Sequence, residues 1–154
     1  MSNPTYYIAY GSNLNLRQMS LRCPTATAVG TTELQGFDLL FRGHDGSAVA
    51  TVEPGAGAVP VLLWQIEPRD ERSLDRYEGW PSFYRKENMT VSLDGQSVEA
   101  LIYLKNGGPL GQPGQDYFDS ILEGYDNNGF DDTVLFEALD RSPLELDCPL
   151  DADW

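Results

Sequence analysis

Histidine, cysteine and basic side chains are scarce in this 154-residue chain, and each scarcity removes a class of chemistry. The single histidine, His44, sits in Gly43-His44-Asp45-Gly46, which reads as a solvent-facing hairpin turn. It is the sole base on offer to a Ser-His or Cys-His couple, and an exposed turn is a poor place for one. Cys23 and Cys148 are too far apart in sequence for a redox CxxC or a metal-ligand pair, so two free thiols are expected and no metal. No apolar stretch reaches the roughly 18 residues of a membrane span, and the first ten residues carry no Lys or Arg and no secretory core. A soluble, cytoplasmic protein is the expectation. Asn88-Met89-Thr90 fits a glycosylation sequon, but it falls in a strand-like run and reads as a chance match.

Ten Lys and Arg stand against 24 Asp and Glu, a net charge of −14. The excess is local: residues 115–154 hold 12 acids and only Arg141, whereas residues 1–114 hold 12 acids and nine bases. Such a surface repels nucleic-acid phosphates and anionic membranes, so neither is an expected partner. With 41% hydrophobic residues and a length at which about 70% of the unfolded surface is buried, residues 1–154 read as one domain ending in an acidic helical segment.

Along the chain, a short apolar strand at residues 6–9 leads into a helix over 15–22 that stops before Pro24. Alternating Phe37, Leu39 and Phe41 predict a strand over 33–42, a turn at 43–46 and a partner strand over 48–52. Pro54-Gly55-Ala56-Gly57 reads as a loop, and 59–66 as a strand buried on both faces. Pro68 opens a helix over 69–78 that Gly79 ends, which makes Glu78 its last residue. Strands over 83–93 and 98–105 flank the Asp94-Gly95 turn, a Gly/Pro-rich loop fills 106–114, and apolar residues recur at helical spacing around 117–125 and 134–139. The fold class is therefore α+β: a mixed sheet of about six short strands, invited to close into a small barrel, with helices around its outside.

Two places carry candidate chemistry. In Tyr10-Gly11-Ser12-Asn13-Leu14 a strand meets a tight turn and a helix start. Glycine permits the bend, Ser12 and Asn13 are good N-cap residues, and unpaired amide N–H groups suit a carboxylate or phosphate. Glu78 sits where the negative end of a helix dipole opposes its charge and where Tyr77, Trp80 and Phe83 exclude water. Both effects raise its pKa and suit it to proton transfer, unless Arg76 or Arg85 pairs with it.

These stretches carry a resemblance. Tyr10-Gly11-Ser12-Asn13-Leu14, then Leu74-Asp75-Arg76-Tyr77-Glu78-Gly79 and Tyr84-Arg85, resemble the gamma-glutamylcyclotransferase-like family, of the avirulence-induced-gene-like branch, in order and separation. Pro113-Gly114-Gln115-Asp116-Tyr117 resembles that family's proline-led stretch before a binding-site tyrosine. The similarity covers most of residues 6–130. It implies a small mixed β-barrel with flanking helices and an enzyme, needing no cofactor, that converts a small-molecule γ-glutamyl amide into 5-oxoproline and a free amine. Glu78 would be the general base and then acid. Tyr10, Gly11, Ser12, Asn13, Leu14 and Tyr117 would bind the substrate. A γ-glutamyl amidohydrolase and a catalytically silent γ-glutamyl-binding module are the competing readings. Asn13 stands where the glutathione-specific branch typically has Leu, which ranks free glutathione lower as a substrate, and residues 106–115 are expected to form a mobile rim that selects the leaving amine.

Overall fold

The computed structural model describes residues 4–142; Cys23 is buried, and Cys148, the other member of the expected pair of free thiols, lies outside the described residues. The strands are β1 (Thr5–Ala9), β2 (Thr27–Arg42), β3 (Val49–Ile66), β4 (Tyr84–Leu93) and β5 (Gln96–Lys105). They form one sheet in the order β2-β3-β1-β5-β4. β1 lies at its centre, antiparallel to β3 with Ile8 opposite Leu63 and parallel to β5 with Tyr7 opposite Leu101. The helices are α1 (Leu16–Arg22), α2 (Pro68–Glu78), α3 (Gln115–Asn127) and α4 (Thr133–Asp140), and a 3₁₀ turn at Ser12–Leu14 joins β1 to α1.

The expected six-stranded barrel does not form. The strands expected over 48–52 and 59–66 merge into a single strand, β3, starting at Val49, because the intervening residues stay paired with β2: Phe37 faces Pro54, and Gln35 faces Ala58. A bulge between Gln35 and Phe37, with Gly36 at φ +79°, absorbs the irregularity. The glycines that suggested a loop leave room for the Asp38 carboxylate, which accepts from the Gly57 N–H at 3.1 Å and would lie 2.0 Å from a Cβ on Gly55. β2 also begins at Thr27 rather than residue 33, because its first residues, though mostly exposed, already pair with β3, Thr27 opposite Gln65 and Ala28 opposite Trp64. Among the described residues the edge strands β2 and β4 share no ladder. They meet where the Thr32 hydroxyl donates to the Ser92 carbonyl at 2.5 Å, and the sheet stays open.

Ile8, Leu14, Leu39, Phe41, Leu63, Ile102, Ile121 and Leu135 are fully buried where sheet and helices meet, each contributing about 1.5–3 kcal/mol of transfer free energy. α2 begins with Pro68 inside a Glu67/Asp70 capping box and ends at Gly79, which adopts the left-handed conformation at φ +65°. Tyr103 donates its hydroxyl to Asp75 at 2.5 Å, and Lys86 bridges Glu71 at 2.7 Å and Asp75 at 3.0 Å, so β4 and β5 hold this helix. α3 fastens the 3₁₀ turn. Gly124 lets it approach so closely that a Cβ there would sit 2.7 Å from the Leu14 side chain, and Asn128 donates to the Leu14 carbonyl at 3.0 Å.

Candidate active site

Just after β1 the chain passes from buried Tyr10 into Gly11, where a Cβ would stand 3.3 Å from Ala50 and 3.8 Å from the Tyr117 hydroxyl. Glycine thus serves close approach to β3 at this point. The helix cap differs from expectation. Asn15 caps α1, accepting from the Gln18 N–H at 3.1 Å, whereas Ser12 and Asn13 turn to tertiary partners. Ser12 Oγ shares a hydrogen bond with the Tyr77 hydroxyl at 2.9 Å. Asn13 Nδ2 donates to the Tyr7 hydroxyl at 2.9 Å, Asn13 Oδ1 accepts from Arg22, and the Asn13 carbonyl accepts from Trp64 Nε1 at 3.1 Å. The Leu14 N–H closes the turn on the Gly11 carbonyl at 3.0 Å. The amides of Gly11, Ser12 and Asn13 have no protein acceptor among the described residues.

Gly11, Ser12 and Asn13 form one wall of a cavity of about 220 Å³, and Glu78 stands in another. Tyr7, Tyr10, Tyr84 and Tyr117 complete much of its lining, with Tyr77 and Phe83 toward the outside. Among the described residues no side chain pairs with the Glu78 carboxylate. Arg76 bonds instead to Ser73 Oγ at 3.4 Å, and Arg85 to Glu87 at 2.7 Å. Burial pushes the Glu78 carboxyl up to about 7, partly offset by the Arg22 guanidinium. Trp80, expected beside Glu78, lies outside the cavity with the Lys86 ammonium 4.2 Å above its ring. Its place in excluding water is taken by Tyr84, whose hydroxyl donates to the Ala50 carbonyl at 2.6 Å, and by Tyr117, whose hydroxyl accepts from the Ala50 N–H at 2.9 Å. Burial pushes the Tyr7, Tyr10, Tyr84 and Tyr117 phenols up as well, and all remain neutral hydrogen-bonding groups at ordinary pH.

Of the residues singled out in the sequence, Glu78, Tyr10, Gly11, Ser12, Asn13 and Tyr117 converge on this cavity, and Leu14 does not. Its side chain is fully buried in the core, and its amide is bonded within the turn. The Tyr10 hydroxyl is occupied, donating to the Tyr103 carbonyl at 2.5 Å. Residues 106–115 do not line the cavity either. They are stitched to the 43–48 turn: the Gly43 N–H donates to the Pro109 carbonyl and the Gly46 N–H to the Gln112 carbonyl, both at 2.8 Å. His44 is exposed in that turn. Tyr7 and Arg22 escaped the reading of the motifs. Tyr7 and Tyr10 would face opposite ways in a regular strand, and they share the cavity only because β1 ends at Ala9. Arg22 closes a short helix, with nothing in its sequence neighbourhood to mark it.

Among the described residues no three His, Cys, Asp or Glu side chains converge in a way that would ligate a metal, and no helix is long and apolar enough to cross a membrane. Compared with known proteins, residues 7–124 match the family model described as gamma-glutamyl cyclotransferase, AIG2-like. The gamma-glutamylcyclotransferase of Mus musculus is 31% identical over 134 residues, covering 80% of this chain and 71% of that protein. The Homo sapiens gamma-glutamylcyclotransferase is 29% identical over 133 residues, with the same coverage. A solved structure named gamma-glutamyl cyclotransferase superimposes with a TM-score of 0.77 at 26% identity, over 92% of this chain and 89% of that one. Sequence match, fold and cavity agree, and this chain belongs to the gamma-glutamyl cyclotransferase family of AIG2-like type.

Proposed function

We propose that this chain cleaves a γ-glutamyl amide by attack of the substrate's own α-amine on its γ-carbonyl, releasing 5-oxoproline and an amine or amino acid. One observation carries the reading: a carboxyl that has no partner among the described residues, and that burial pushes up to about 7, lines the same small, tyrosine-lined cavity as three backbone amides that lack an acceptor among those residues. Half ionised near neutrality, Glu78 takes a proton from the α-ammonium. The freed amine forms the new C–N bond, the old amide C–N bond breaks as the departing nitrogen takes that proton from Glu78, and the second proton, shed by the ring nitrogen as it becomes the lactam N–H, ends on the released amine as its ammonium proton. Water is not consumed, and no protein nucleophile is needed. Because nucleophile and electrophile belong to one molecule, holding it curled supplies part of an effective molarity of about 10⁵–10⁸ M.

The Gly11–Asn13 amides are suited to the substrate's α-carboxylate, as backbone N–H groups at a helix-like turn are for anions generally. The Ser12 hydroxyl and Tyr117 add polar contacts beside them. The Asn13 side chain is engaged at both ends, by Tyr7 and Arg22, so its part is to shape the turn. We take residues 1–154 as one catalytic domain working in the cytoplasm.

The test is product identity. γ-Glutamyl amino acids, γ-glutamyl-lysine, γ-glutamyl amines and glutathione are incubated with the protein, and released compounds are identified by mass spectrometry. 5-Oxoproline is expected, with glutathione a poor substrate and N-acetylation of the α-amine abolishing reaction. Glutamate as the product would replace this reading with an amidohydrolase, and saturable binding without product would replace it with a binding module.

A further inference from the structure

Arg22, the last residue of α1, enters none of the steps above and does not line the cavity, yet it joins three elements that do. Its guanidinium lies 3.5 Å from the centre of the Tyr77 ring, next to Glu78 on α2. It donates to Asn13 Oδ1 in the turn, and Asn13 Nδ2 donates onward to the Tyr7 hydroxyl of β1 at 2.9 Å.

This chain of bonds has one permitted direction. A guanidinium has donors and no acceptor, so the oxygen end of the Asn13 amide must face Arg22. The NH₂ end then faces Tyr7, whose oxygen becomes the acceptor. The Tyr7 hydroxyl proton is left over, with no protein acceptor among the described residues, on a side chain that lines the cavity. Without a donor-only group at position 22 the Asn13 amide has no reason to prefer this orientation. The flipped form would take the Tyr7 proton for itself.

We propose that Arg22 is a positioning residue that acts through Asn13 to aim the Tyr7 hydroxyl proton into the cavity, as a hydrogen-bond donor to an oxygen of the bound γ-glutamyl group. The inference rests on the substrate reading above, but its chemistry is separate: it concerns which way a relay is polarised. Lysine at position 22 is also donor-only and keeps the polarity. Glutamine can donate or accept and loses it.

The experiment combines Arg22→Lys, Arg22→Gln, Tyr7→Phe and the Arg22→Gln/Tyr7→Phe double variant. kcat and KM are measured at about pH 8.5, above the Glu78 carboxyl value of about 7, and melting curves identify variants that fail to fold. Arg22→Gln and Tyr7→Phe are each expected to lose about tenfold in kcat/KM, the scale of one hydrogen bond. Arg22→Lys should stay within about threefold, and the double variant should lose no more than about twofold beyond Tyr7→Phe alone. Losses that multiply in the double variant, or an Arg22→Gln protein as active as the parent, overturn the inference.

A second readout is independent of turnover. In ¹⁵N NMR the Asn13 side-chain amide, assigned by its loss in Asn13→Asp, should keep nearly the parent's chemical shifts in Arg22→Lys and move or split in Arg22→Gln as its NH₂ turns away from Tyr7. Unmoved signals in all three overturn the relay. If the protein forms no 5-oxoproline the functional reading fails, while the amide signal still decides this one.

Discussion

In the turn at residues 11–14 every polar side chain has a partner, Ser12 in Tyr77 and Asn13 in Tyr7 and Arg22, whereas the Glu78 carboxylate, which lines the same cavity, has none among the described residues. The turn lies against β3 and under α3, held by backbone contacts that leave its three amides open. Glu78 instead projects from the end of a helix anchored one turn earlier, through Asp75 to Tyr103 and Lys86. Bonded side chains at both positions fix the shape of the first wall. At the second wall a carboxyl with no bonded cation or donor among the described residues lets burial lift its pKa to about 7, with Arg22 only partly offsetting it. The same groups exchanged between the two walls would give a loose binding site and an inert, permanently ionised acid.

Replacing Glu78 by Gln breaks the contrast most severely. It keeps the shape and removes proton transfer, so kcat should fall by about 10²–10⁴-fold in a 5-oxoproline assay while the fold persists. With the parent protein, kcat/KM should decline about tenfold per pH unit below about pH 7, as the carboxyl protonates in the free enzyme. On the other wall, Gly124→Ala would drive a Cβ to 2.8 Å from the backbone of Leu14 and Asn15. A loss of about 1–3 kcal/mol in denaturant unfolding is expected, along with weakened substrate binding as the turn shifts.

Stability should also respond to Glu78, with a definite sign. Its carboxyl value is higher in the folded protein than the ordinary 4.5, so the protonated form favours folding, and that contribution is present below about pH 4.5 and lost as pH rises through about 7. Glu78→Gln should therefore be more stable than the parent at pH 8, by about 1–3 kcal/mol, and nearly equal to it at pH 4, as thermal melts at the two values will show. The smallest effect is expected from Arg85→Ala. Its exposed pair with Glu87 is worth about 0.5 kcal/mol or less, and since Arg85 is bonded elsewhere the activity limb near pH 7 should not move.

What could be read in advance was local. Pro68 and Gly79 bound α2 because proline suits the first helical turn and glycine alone takes the left-handed stop at φ +65° without strain, so the position of Glu78 at the helix end was legible. Asp94-Gly95 likewise announced the β4–β5 hairpin through its positive φ values of 52° and 81°. The continuity of β3 was not legible, because Gly55 and Gly57 carry the signature of a loop until the Asp38 carboxylate is seen filling the space beside them. Ser12 and Asn13 are good cap residues in isolation, but stronger partners reached them from Tyr77, Tyr7 and Arg22, and the cap passed to Asn15.

Alone, the order of residues determined the chemistry on offer: one turn rich in amides, one acid at a helix terminus, and no histidine or thiol couple to compete with them. Tertiary structure decided which of these groups meet and in what state. Proximity and desolvation come from contacts between segments tens of residues apart, and a carboxyl's proton affinity depends on everything packed around it rather than on its neighbours along the chain.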